Sequence, residues 1–316
     1  MLVIVLTALA LISFVAFRFS NRVDALRAQA AQLQQYAQGR TDAMSARNAG
    51  LYFVSTRFTD AAGFGQPPGP ELRADGRPYV LPGGAVLRVQ DLRGLLPINA
   101  LPRQVMARLL QAQGLEPGQQ DAWIDVLLDY ADTDDLRRLN GAERSEYAEL
   151  GLPPPRNDWL LSVNELYALP KWRDRPDTVA ALLPLVSTNR EALLNPNTMP
   201  MPLLRAFLPD APPGALERFL TLRRQMPFAT AAAVLASTGL NFTREDLLLH
   251  VSDRVRLTVW APGLPEPFQY NLALVPDGVD SPWVILDAQA VPREKNTEPN
   301  AESPTPLPLR LEAGSR

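Results

Sequence analysis

The chain has 316 residues, 31 Lys and Arg against 34 Asp and Glu, one His and no Cys. The near-balanced charge of −3 argues against a protein that coats nucleic acid by bulk charge. The absence of cysteine excludes disulfides, Cys-ligated zinc or iron–sulfur centres and a Cys nucleophile, and a lone His250 excludes multi-His metal sites.

The N-terminus carries the strongest signal. Met1 to Phe17 has no charge and is almost wholly apolar. As a helix it spans roughly 25 Å, the short limit for a bilayer crossing. A cleaved signal peptide is the alternative, but it wants basic residues before the apolar core and a small-residue site after it. Here the run ends in Arg18-Phe19-Ser20-Asn21-Arg22, which reads as a retained anchor. Arg18, Arg22 and Arg27 all follow the run, so the positive-inside rule alone would put the next domain in the cytoplasm.

Apolar residues then recur at three-to-four spacing: Val23, Leu26, Ala30, Leu33, Ala37, Met44, Leu51, Val54 and Phe58. The spacing predicts one helix from near Leu2 to about Arg57, roughly 80 Å long at 1.5 Å per residue. A break near Gly39 or Gly50 is the alternative. Segments 1–17 and 18–60 are thus the membrane part and its amphipathic continuation.

Gly63 to Pro82 reads as loop, and Tyr79 to Gln90 as a strand or strand pair interrupted by Pro-Gly-Gly. Together, 61–91 form a loop and first strand. Segment 92–248 is helical and holds a weak internal repeat. Leu96-Pro97-Ile98-Asn99-Ala100-Leu101-Pro102 parallels Leu194-Asn195-Pro196-Asn197-Thr198-Met199-Pro200. Asn99 and Asn197 fall where helix N-caps belong. Each copy continues with a helix, a Gly/Pro turn, a second helix and a capped third helix. Those third helices open at Ser162-Val163-Asn164-Glu165, a capping box, and at Thr230. The first copy carries about thirty extra residues, from Ala131 to Leu160, ahead of its third helix.

Segment 249–290 returns to strands around an Asp277-Gly278 turn. The tail, 291–316, is rich in proline and charge and is predicted to be disordered. Strands on both sides of a helical block imply one sheet interrupted by an inserted domain.

The acidic loop around Asp129, Asp132, Asp134, Asp135, Asn140 and Glu143 suits a hard cation such as calcium. It is not an EF-hand, because Leu136 and Arg137 stand where that loop needs an oxygen ligand and a Gly. The competing reading is a solvated loop in which Asp134 or Asp135 pairs with Arg137 and Arg138. Acid–base hydrolysis by these carboxylates is a further alternative, although no helper His accompanies them. The helical repeats resemble helix-hairpin-helix units that bind DNA phosphates, with Arg223 and Arg224 as the basic residues. Acidic residues and prolines in their turns argue for a packing module instead.

The order of motifs resembles the minor pseudopilin K family of type II secretion systems. The matching landmarks run from Arg88-Val89-Gln90-Asp91-Leu92-Arg93-Gly94 through Leu127-Leu128-Asp129-Tyr130-Ala131-Asp132-Thr133-Asp134 and Asn140-Gly141-Ala142-Glu143. They continue through Leu161-Ser162-Val163-Asn164-Glu165-Leu166 to Leu194-Asn195-Pro196-Asn197-Thr198. The resemblance implies an α+β, pilin-like fold: a long N-terminal helix packed on a small antiparallel sheet, with a large inserted all-helical domain. It implies no enzymatic activity and a place at the pseudopilus tip with minor pseudopilins I and J and the inner-membrane secretion platform. It also implies a single-pass inner-membrane anchor with the globular part in the periplasm. For the metal it implies calcium at Asp132, Asp134 and Glu143, with Asp129 and Asn140 as further candidates. The absence of an acidic residue before Asp24 is typical of this type of subunit. The family begins with a short basic leader, whereas this sequence opens in apolar residues, so leader processing is left open. A tip protein of a type IV pilus or DNA-uptake system, using the helical repeats to bind DNA, is the alternative.

Overall fold

The computed structural model describes residues 1–65, 70–242, 245–292 and 305–307. One helix, α1 (Leu2–Thr56), runs unbroken for 55 residues. Its first part projects away from the rest of the protein; the Gln35 carbonyl lies against Gly263, and buried residues begin at Gly39. The buried stripe is Gly39, Ala43, Ala46 and Gly50, followed by Leu51, Phe53 and Val54. The two glycines are therefore points of close approach rather than breaks. A Cβ on Gly39 would lie 2.4 Å from the Pro262 carbonyl oxygen, and one on Gly50 would press on Leu87 and Leu257. Small residues let the helix axis approach the sheet closely enough to pack without a gap.

After α1 come β1 (Phe58–Thr59), β2 (Gly63–Gly65) and β3 (Leu72–Arg73), which form a small antiparallel sheet. The stretch read as loop thus contains short strands, and Phe64 and Leu72 are fully buried in it. β4 (Asp75–Val80) and β5 (Val86–Asp91) follow, joined by a turn through Pro82–Gly84. The chain then leaves the sheet and returns 163 residues later at β8 (Arg254–Trp260), after β6, β7 and α2 to α8, which are given next. These are β6 (Leu96–Pro97), α2 (Arg103–Ala112), α3 (Pro117–Ala131), α4 (Arg144–Glu149) and α5 (Pro176–Leu182). β7 (Val186–Ser187), α6 (Met201–Phe207), α7 (Ala215–Gln225) and α8 (Ala231–Thr238) complete the excursion. β6 and β7 pair in parallel, the one strand ladder inside the helical domain among the described residues.

β5 and β8 are direct antiparallel neighbours from Val86↔Trp260 to Asp91↔Val255. The inserted domain therefore replaces a hairpin turn. β9 (Phe268–Leu274) and β10 (Trp283–Ala290) extend the sheet in sequence order. On the other edge, β11 (Thr305–Pro306) pairs in parallel with β4, and Leu307 is buried. This corrects part of the expected disordered tail: an apolar residue and a free strand edge suffice to dock three residues. The rest of that tail, 293–304 and 308–316, lies outside the described residues.

Two separate hydrophobic cores result. One lies between α1 and the sheet, around Phe53, Leu87, Val255 and Leu257. The other fills the inserted domain, around Met106, Ile124, Trp172, Leu203 and Phe219. Alternation along β8 sends Leu257 toward α1 and Arg256 to the opposite face, where it donates to the Val186 carbonyl at 3.0 Å. The inserted domain thus leans on the sheet face away from α1.

Candidate functional site

Polar side chains join the two cores. Asp91, at the end of β5, is fully buried and accepts from Ser252 Oγ at 2.7 Å and the Ser252 amide at 3.1 Å. It also accepts from Asn195 Nδ2 and Thr198 Oγ1 at 3.0 Å each and from the Arg93 amide at 3.1 Å. Burial raises its pKa, with these donors acting against the rise. Nearby, Arg73 Nη2 donates to the Arg223 carbonyl at 2.6 Å, and Arg223 Nη1 to the Pro196 carbonyl. Arg223 is buried, and burial lowers its pKa to about 10. A side chain so committed inside the junction is not presented to a DNA backbone.

Asn99 and Asn197 are not helix caps; α2 starts after Pro102 and α6 after Pro200. Each instead grips one distant residue by both its backbone groups. Asn99 Oδ1 accepts from the Leu160 amide at 2.8 Å while its Nδ2 donates to the Leu160 carbonyl at 2.9 Å. Asn197 treats Phe228 in the same way, at 3.0 and 2.9 Å. In both copies the capping residue, Ser162 or Thr230, follows two positions later. The repeat seen in the sequence is therefore a repeat in space.

The acidic loop leaves α3 at Asp132 and ends where α4 begins. Asp129 is fully buried on the last turn of α3. Its carboxylate takes the Arg138 guanidinium at 2.6 Å and the Arg138 amide at 3.2 Å. The same Arg138 Nη1 holds Asp132 Oδ2. The ion pairs thus differ from those expected: Arg138 serves Asp129 and Asp132, while Arg137 pairs with Glu146 at 2.8 Å. Gly141 crosses directly over Asp129, with so little room that a Cβ would overlap Oδ2.

Glu143, 3% exposed, is the N-cap of α4 and faces the Glu146 amide in a capping box, but neither of its carboxylate oxygens completes a hydrogen bond among the described residues; nor does Asp132 Oδ1. Burial, then the charges of Asp129, Asp132, Asp135 and Asp134, push the Glu143 pKa up to about 7. The Tyr147 hydroxyl, buried beside them, is also unpartnered, and burial raises its pKa. Asp134 and Asn140 lie apart from this cluster. Asp134 is exposed and accepts from the Leu136 amide at 2.8 Å, and the Asn140 amide group faces Asp125 at 3.3 Å.

These donors are all hard oxygens, the chemistry a divalent cation such as calcium takes. Glu143 and Asp132 fit it, since each carries buried acceptor oxygens with no partner. Asp129 is engaged by Arg138, and in this arrangement no three His, Asp or Glu side chains converge as a ligand set among the described residues. The Asp91 junction was not legible in the sequence, and Arg138 was legible only as a partner of Asp134 or Asp135 rather than of Asp129 and Asp132.

A long N-terminal helix on an antiparallel sheet, with a helical domain inserted between neighbouring strands, is a pilin-like fold with a helical insertion. Residues 87–190 match the family described as Type II secretion system (T2SS), protein K. The fold is similar to a chain in the crystal structure of the GspK-GspI-GspJ complex from the enterotoxigenic Escherichia coli Type 2 Secretion System. The two are 17% identical with a TM-score of 0.58, and the match covers 84% of this chain and all of that one. The resemblance to minor pseudopilin K read from the motifs is borne out by both comparisons. Among curated proteins none matches the chain.

Proposed function

We propose that this protein is a non-enzymatic minor pseudopilin. It would sit at the tip of a type II secretion pseudopilus and nucleate assembly with minor pseudopilins I and J for export of folded proteins. The observation that carries the reading is the place of the inserted domain. Its bulk stands on the sheet face opposite α1 and grows from a β-hairpin position. Such bulk obstructs lateral packing inside a tightly wound fibre and is accommodated at its end.

The exposed apolar start of α1 is long and apolar enough to cross a membrane, and this supports a single-pass inner-membrane anchor. The globular part then lies in the periplasm. The exposed Leu26, Leu33 and Met44 on the continuing helix are available to partner helices. In this reading the acidic loop binds calcium through Glu143 and Asp132, with Asp129 as the further carboxylate; Asp134 and Asn140 remain outer candidates.

The test is co-elution of the detergent-solubilised full chain with minor pseudopilins I and J from the same organism, in calcium and in EDTA. A stable three-protein complex is expected. Absence of a complex in both conditions would overturn the tip reading.

A further inference from the structure

We infer that Arg138 is a built-in counter-ion of the acidic loop, holding it closed without metal and competing with a divalent cation for Asp129 and Asp132. The inference deepens the cation reading of this loop and rests on it. One guanidinium nitrogen bridges the two carboxylates, and the Arg138 backbone amide adds a further donor to Asp129. Arg138 thereby supplies the positive charge that two adjacent carboxylates need in a buried setting.

The rest of the loop is tied without metal as well. Arg137 pairs with Glu146, Asp134 Oδ1 accepts from the Leu136 amide, and Asn157 Nδ2 donates to Asp135 Oδ1 at 3.0 Å. Glu143 is left out of these ion pairs: its buried oxygens face only the Glu146 amide of the α4 capping box and complete no hydrogen bond.

The geometry gives the competition a route. Asp129 is pinned beneath the Gly141 backbone and cannot turn away. The Arg138 side chain is 37% exposed, so it can swing to solvent. When it leaves, Asp129 and the inner Asp132 oxygen join Glu143 as free hard donors. Arginine and cation then exclude one another by charge, because both occupy the same carboxylates at hydrogen-bond range.

Calcium titration of the full chain by calorimetry, for wild type, Arg138→Gln and Glu143→Gln, tests this. Thermal unfolding of the same proteins in EDTA accompanies it. Arg138→Gln is expected to bind calcium roughly tenfold tighter or more, since a like charge has gone. It is also expected to melt lower than wild type in EDTA and to regain the loss in calcium. Glu143→Gln is expected to lose calcium binding. Arg138→Gln binding no tighter than wild type would overturn the competition. If none of the three proteins binds calcium, the cation reading fails by itself. The EDTA melting then decides the counter-ion role, and an unchanged melting temperature in Arg138→Gln overturns it. Should Arg138→Gln not fold in EDTA, Arg138→Lys, which keeps the charge, is expected to fold with wild-type affinity; failure of Lys to rescue would count against the charge argument.

Discussion

The two halves of the inserted domain solve the same packing problem with different amounts of chain. In the first, Asn99 grips Leu160 across 61 positions; in the second, Asn197 grips Phe228 across 31. The clamp and the capping residue after it are the same in both, but the cap opens a 3-10 helix (Val163–Ala168) in the first half and α8 in the second. The longer interval in the first half holds α4 and the acidic loop. The clamp fixes where the chain must return, so the intervening loop can vary without disturbing the framework. The halves also differ in attachment. The second is bound to the sheet through Asp91, Asn195 and Thr198, whereas the first touches it through Arg256 and through Ser162 and Asn164 on Gln289.

The largest expected effect is at the attachment of the second half. Asp91→Ala leaves buried donors on Asn195, Thr198 and Ser252 without their acceptor and should cost about 3–5 kcal/mol in denaturant unfolding. A cost under about 1 kcal/mol would show that the Asp91 network does not hold the second half to the sheet.

The acidic loop, found only in the first half, should give that half a pH signature. Folded Glu143 has a pKa of about 7 against an ordinary 4.5, so the native state binds its proton more tightly than the unfolded chain. Metal-free stability should therefore fall by about 3 kcal/mol as pH rises from about 4.5 to about 7 and level off above it. The difference between wild type and Glu143→Gln across a pH series of melts isolates this group. A flat difference would mean that Glu143 is not buried as a charge.

The clamps offer a sharper comparison. Asn99→Ala and Asn197→Ala should each cost about 2 kcal/mol by exposing a backbone pair that water cannot fully reach. Asn197, fully buried, should cost the more of the two. Losses of this order at both sites would show that the repeat is energetic as well as geometric, and a loss under about 0.5 kcal/mol at either would contradict it. The smallest effect is expected at the cap of α8. Thr230 Oγ1 accepts from the Ala233 amide, and Thr230→Ala should lower stability by about 1 kcal/mol.

Much of this framework was legible in the sequence because it rests on local periodicity. The three-to-four spacing from Leu2 to Arg57 and the alternation in β8 to β10 do not depend on distant partners. Gly39 and Gly50 were ambiguous, since close packing against Pro262 and Leu257 is invisible along the chain. β2 and β3 were missed because strands of two or three residues among Gly and Pro carry no alternation. Asn99 and Asn197 were misread because an Asn before a Pro-led helix is the pattern of an N-cap; what they grip lies far along the chain. For the acidic loop, composition marked the region. Which carboxylate meets Arg138 and which is left bare depends on the turn at Gly141, and spacing alone does not carry that.

The central claim is that α1 packs against partner pseudopilins while the inserted domain caps the assembly. It is tested most directly by placing a photo-crosslinking amino acid at Leu33, which is 62% exposed on α1. The cross-linked products are then identified in cells with an active secretion system. The account predicts adducts with minor pseudopilins I or J. Adducts with lipid or this chain alone, in cells that secrete normally, would contradict it.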